Sequence, residues 1–228
     1  RLDLDARPDD DRFSLAARVE APEDGVIAGF AGLPNAVRAR IGGEGTWSRW
    51  QGDLVAAVPD GGQGLASIRI TATRGHFHLN GSAAPAPLVG GVPGRLAPNG
   101  LRITGDLTAN GGRMPFVFRA ASEAIIIDGR GILLEDARRL QNTKVLITLS
   151  DPSALLSTLR GRNMRLSADL SGSTLAPGGR YAFAADWASL GDQRLVRPAA
   201  SGAFGGAITG GDLSMKGRFN RLTGAGGF

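Results

Sequence analysis

The sequence predicts an all-β protein: an elongated, curved, mostly antiparallel sheet with one short helix near 152–160. Three observations carry this expectation. Apolar and polar residues alternate in short runs such as Val37-Arg38-Ala39-Arg40-Ile41 and Ile68-Arg69-Ile70-Thr71-Ala72, and period two sends successive side chains to opposite faces of a strand. Glycine- and proline-rich breaks separate the runs. Glycine is abundant, 35 of 228 residues, while aromatic residues are 6%, which suits many turns and a thin core.

Taken in order, the alternation places strands at about 1–6 and 12–20 around the acidic turn Pro8-Asp9-Asp10-Asp11. Phe13, Leu15, Ala17 and Val19 share one face of the second. After a less regular stretch at 25–36, strands resume at 37–41 and 52–58. Others follow at 66–73 and 75–80, joined tightly through Arg74-Gly75. Further strands are expected at 101–109, 114–120, 123–128, 131–135, 143–149, 164–171, 180–187 and 212–220. Asn110-Gly111-Gly112, Asp128-Gly129 and Pro177-Gly178-Gly179 are read as reversals.

Two segments break the pattern. Asp151-Pro152-Ser153 opens a helix signature with an Asp cap and Pro at the first helical position, closed by Gly161. Such a short helix would plug one end or edge of the sheet. Residues 81–100 carry Pro85, Pro87, Pro93 and Pro98, and proline removes ladder donors, so a loop is expected there. The chain thus divides into a first part of the sheet (1–80), a Pro/Gly-rich loop (81–100) and a second part (101–228). It reads as one continuous fragment of a larger protein.

Composition narrows the function. Hydrophobic residues at 42% and charged residues at 21% are too apolar for disorder. With no cysteine, disulfides and Cys-based zinc sites are excluded. The formal charge is +5, but the basic residues are scattered singly along strands, and Arg138-Arg139 is the longest basic run; nucleic acid is not an expected partner. No run reaches the ~18–20 apolar residues of a membrane-spanning helix.

No catalytic or metal-binding constellation emerges. His76 and His78 are the only histidines; at i, i+2 they share a strand face, but a metal site needs further ligands. They read as imidazoles on a wet face. A Gly-x-Ser-x-Gly elbow is lacking, and the carboxylate runs Asp9–Asp11 and Glu135-Asp136 match no calcium loop. Gly205-Gly206-Ala207-Ile208-Thr209-Gly210-Gly211 resembles a phosphate loop only in its glycines. Neither an enzyme nor a cofactor is expected, and no metal ligands are assigned.

What remains is the dry face. Phe77, Leu79, Phe116, Phe118, Ile125, Ile127, Val145, Ile147, Leu149, Leu166, Leu170 and Phe183 are expected to line it. A closed sandwich would bury them as core. A sheet that curls without closing would leave a continuous greasy groove, and large exposed apolar surfaces imply a ligand, partner or membrane.

The chain resembles the central part of TamB-like proteins, inner-membrane components of translocation and assembly modules within the AsmA-like group of the bacterial envelope. The likeness rests on Val19-Glu20-Ala21-Pro22, on Gly45-Thr46-Trp47-Ser48-Arg49-Trp50-Gln51-Gly52-Asp53-Leu54, on Gly217-Arg218-Phe219-Asn220-Arg221-Leu222-Thr223-Gly224-Ala225, and on the Asp151–Leu159 helix amid strands. It is a likeness of strand texture along nearly the whole chain. It implies an open β-groove (a β-taco) in an inner-membrane-anchored periplasmic protein that carries phospholipids between inner and outer membrane and serves outer-membrane biogenesis. The implied partners are phospholipid acyl chains and, through regions not in this fragment, an outer-membrane protein of the Omp85 class. The family's N-terminal anchor and C-terminal region are not expected among these residues. The alternative is a secreted β-solenoid, adhesin-like or carbohydrate-active, with a closed apolar core.

Overall fold

The computed structural model describes residues 2–7, 11–21, 37–46, 48–58, 64–84, 91–134, 139–173, 176–209 and 212–227. Their strands are β1 (Leu2–Arg7), β2 (Arg12–Ala21), β3 (Val37–Gly45), β4 (Arg49–Ala57), β5 (Gly64–Thr73), β6 (His76–Ala83), β7 (Leu101–Thr108) and β8 (Arg113–Ala121). The second half adds β9 (Ile125–Leu134), β10 (Arg139–Leu149), β11 (Leu159–Arg162), β12 (Met164–Ser173), β13 (Ala176–Ala184), β14 (Trp187–Leu190), β15 (Gln193–Thr209) and β16 (Asp212–Gly227). A short helix, α1 (Gly91–Leu96), and a single 3-10 turn (Pro152–Ala154) complete the list.

Consecutive strands pair antiparallel from β1–β2 through β9–β10. β10 then pairs β12, β12 pairs β13, β13 and β14 both pair β15, β11 pairs β14, and β15 pairs β16. β11 and β12 are one path bent at Asn163 (φ 54), and β13 and β14 are one path bent at Ala185-Asp186. The ladder continues across the bends: the Asp186 N–H donates to the Arg162 carbonyl (3.0 Å) and the Arg197 N–H to the Asp186 carbonyl (2.8 Å). The 16 segments therefore form one open, 14-strand antiparallel meander. Asn142 (φ 49), Asn163 and Arg197 (φ 49) sit in the left-handed region at these irregularities, where β10 and β15 each shift register by an extra residue.

Four expectations are corrected. Asp128-Gly129 is not a reversal: both residues lie inside the unbroken β9, facing Arg119 and Phe118 of β8. Pro177-Gly178-Gly179 likewise lies within β13. The short helix expected near 152–160 is present only as the 3-10 turn, because Leu159–Arg162 pairs with β14 instead of continuing the helix. The 81–100 loop is shorter than expected, since residues 81–83 complete β6 and residues 91–96 form α1. The sheet runs straight past this segment, β6 pairing with β7 along its whole length. The irregular stretch at 25–36 lies outside the described residues.

Among the described residues buried apolar side chains are few, and they include Trp50, Leu65, Ala97, Ala124, Ala154 and Met164. All but Trp50 lie where strands β5, β9 and β12 begin or on the segments crossing that edge, with α1 and the 3-10 turn packed over it. Arg95 of α1 ties the two together, donating to the Ala154 (3.0 Å) and Leu155 (3.1 Å) carbonyls. The Asp151 carboxylate caps the 3-10 turn by accepting from the Ser153 N–H at 2.9 Å. The accessible surface is 14603 Å², against ~9,800 Å² for a compact monomer of this mass. Among the described residues the strands form a single sheet with no second layer packed on it.

Candidate functional site

Residues directly opposite each other in an antiparallel ladder share a face, so the register maps the two faces of the sheet. One row runs Leu15, Gly43, Gly52, Ile70, Leu79, Gly105, Phe118, Gly129, Val145, Ala168, Tyr181, Gly202. A parallel row two residues away runs Ala17, Ile41, Leu54, Ile68, Gly81, Ile103, Ala120, Ile127, Ile147, Leu166, Phe183, Ala200. Phe13, Trp50, Phe77, Leu107, Phe116 and Leu170 fall on the other side of the first row, and Ile125, Leu149 and Met164 beyond the second. At ~4.8 Å per strand, the apolar rows extend for roughly 50 Å along the sheet.

The glycines in these rows make room for rings. Phe118 occupies the space a Cβ on Gly129 would need, and Trp50 does the same over Gly43 and Gly52. Phe116 stacks on Phe118, with ring centroids 6.3 Å apart, and Phe13 tilts against Trp50 at 6.4 Å. Large side chains thus lie down along the sheet over their small neighbours, thickening the apolar layer without a second sheet above it.

All twelve expected lining residues, Phe77, Leu79, Phe116, Phe118, Ile125, Ile127, Val145, Ile147, Leu149, Leu166, Leu170 and Phe183, fall on this one face, and each is half-buried. None is sealed as core. The expectation omitted the upstream part of the face, where Phe13, Leu15, Ile41, Trp50 and Ile70 join the expected Phe77 in lining a hollow of about 400 Å³ together with Thr46, Ala72, Arg74 and Gly75. The alternation in β2, β3 and β5 was the available signal for these positions.

The opposite face is polar and stitched by cross-strand ion pairs. Arg69 pairs with Asp53 (3.1 Å), Arg119 with Asp128 (3.1 Å) and Lys144 with Asp169 (3.2 Å). His78 Nδ1 meets Asp106 Oδ1 at 2.8 Å and His76 Nδ1 meets Thr108 Oγ1 at 3.0 Å, so both histidines belong to this ladder. Among the described residues, no group of three or more His, Cys, Asp or Glu side chains converges. A second concavity of about 650 Å³ lies over β7–β12 on this face, where Val117 and Leu146 stand exposed among the charges. Among the described residues, no helix is long and apolar enough to cross a membrane.

Comparison with known proteins gives no match. Neither a protein-family model, a curated protein nor a solved structure corresponds to this chain. Functional inference therefore rests on the apolar face itself.

Proposed function

We propose that the apolar face is a lipid track: a segment of a groove that carries phospholipids by their acyl chains between inner and outer membrane, in the periplasmic part of an inner-membrane-anchored protein. The observation that carries this reading is the half-burial of all twelve lining residues on one face of an open sheet. A face of Phe, Ile, Leu and Val roughly 50 Å long solvates methylenes along its length, each worth ~0.8 kcal/mol when kept from water. Apolar side chains recur from strand to strand, so a chain can shift along the sheet while its headgroup stays in solvent. The resemblance to TamB-like proteins supplies the cellular setting and a role in outer-membrane biogenesis. Contact with an Omp85-class partner is assigned to other parts of such a protein.

The β-solenoid alternative fits less well. Its coils pair in parallel, whereas every pairing here is antiparallel. The test is capture. A photocrosslinking side chain at Phe118 or Ile147, in protein expressed in a bacterial envelope, should trap phospholipid, and extracts of the purified chain should contain it. Protein free of lipid, with neither probe capturing any, would remove the reading.

A further inference from the structure

The hollow upstream on the apolar face differs from the rest of the track in one respect: its lining includes a charge. Phe13, Leu15, Ile41, Trp50, Ile70 and Phe77 supply the apolar wall, and among the described residues Arg74 is the one charged residue beside them. Among the described residues, the Arg74 guanidinium makes no ion pair or hydrogen bond, in contrast to the paired Arg69 and Arg119 on the opposite face. Its backbone is also costly. Arg74 has φ 48 and Gly75 φ 82, the geometry of a two-residue turn whose first position favours Asn, Asp or Gly. Turn formation alone does not account for an arginine there, and residues held in unfavourable backbone regions concentrate at ligand sites.

A second observation falls at the same place. Trp50 is 8% exposed, and among the described residues its indole N–H has no hydrogen-bond partner. A buried donor without an acceptor is a cost that native structures generally avoid. At about 400 Å³ the hollow falls within the ~300–1,000 Å³ range of small-molecule sites.

We propose that this hollow is a seating subsite for a single acyl lipid with an anionic headgroup, its chain against Phe13, Ile70 and Phe77 and its phosphate or carboxylate on Arg74. The proposal rests on the lipid-track reading and adds headgroup selectivity at one position to an otherwise indifferent surface. The charge complementarity is specific: a zwitterionic lipid brings its own cation to the phosphate, whereas an anionic one leaves the phosphate to Arg74.

The test uses the full chain with a photocrosslinker at Ile70 or, separately, at Ile147, loaded with phosphatidylglycerol or phosphatidylcholine. At Ile70, capture of phosphatidylglycerol should exceed that of phosphatidylcholine by roughly tenfold, the scale of one charge-assisted hydrogen bond. Arg74→Gln should abolish that preference and Arg74→Lys should retain most of it. The Ile147 probe should capture both lipids equally in every variant. Equal capture at Ile70, an unchanged preference in Arg74→Gln, or a crosslink to a second copy of the chain would overturn the subsite while an active Ile147 probe leaves the track standing. Silence at both probes would remove both.

Discussion

The ring of Phe118 lies over Gly129 on the adjoining strand and fills the volume a β-carbon there would take. This pairing explains why an Asp-Gly dipeptide sits in the middle of β9 instead of at a turn. Glycine weakens a strand through entropy and missing side-chain packing, and the ring supplies that packing from the neighbouring strand. Gly129→Ala should therefore destabilise the sheet by about 1–3 kcal/mol through overpacking. Gly42, whose β-carbon would meet nothing within 4 Å, is the matched control, and Gly42→Ala should leave the urea midpoint nearly unchanged.

Arg74 gives a prediction of opposite sign. Replacing it with Asn, which tolerates positive φ, should stabilise the β5–β6 turn by up to about 1 kcal/mol, or roughly 2–4 °C in melting temperature for a chain of this size. The same variant should lose the headgroup preference at Ile70. A gain in stability together with a loss of selectivity would mark Arg74 as a residue kept for its charge.

The polar face should behave as a salt-sensitive ladder. Lys144 and Asp169 face each other across β10 and β12 at 3.2 Å, both more than half exposed. A double-mutant cycle with Lys144→Ala and Asp169→Ala should give a coupling of ~0.2–1 kcal/mol. That coupling should fall toward zero at 1 M salt, where the Debye length is about 3 Å. A coupling unchanged by salt would refute this account.

Asp151 sets a pH dependence. Its carboxyl is held below the ordinary aspartate range, chiefly by the hydrogen bond from the Ser153 hydroxyl and next by the Ser153 backbone N–H. A folded-state pKa below the unfolded one stabilises the fold above the ordinary carboxylate value, and that contribution is lost as pH falls through the lowered value. Asp151→Ala should thus be less stable than the parent at pH 7, and the gap should close in strongly acidic buffer. Thermal unfolding at a series of pH values checks both halves.

Much of the fold was legible because its code is local. Strand alternation in β5, β6 and β8 needs no tertiary information, and Arg74-Gly75 and Asn110-Gly111-Gly112 mark true reversals. Misreadings fell where a distant residue supplied what the local sequence lacked. Gly129 reads as a turn without Phe118 above it, and Gly178-Gly179 likewise without β12 and β15 on either side. Leu159–Gly161 reads as the end of a helix because the strand that claims it, β14, comes only later in the chain, at Trp187–Leu190.

The sequence by itself determined an all-β chain with one dry face and named twelve residues of that face, since period two assigns side chains to faces strand by strand. Only the tertiary structure decided that those residues form continuous rows and stay half-open to solvent. Register between strands and the presence or absence of a covering layer depend on contacts between segments far apart in the chain. It also brought Arg74, Trp50 and Ile70 around one hollow, which no reading of β4, β5 or β6 alone could assemble.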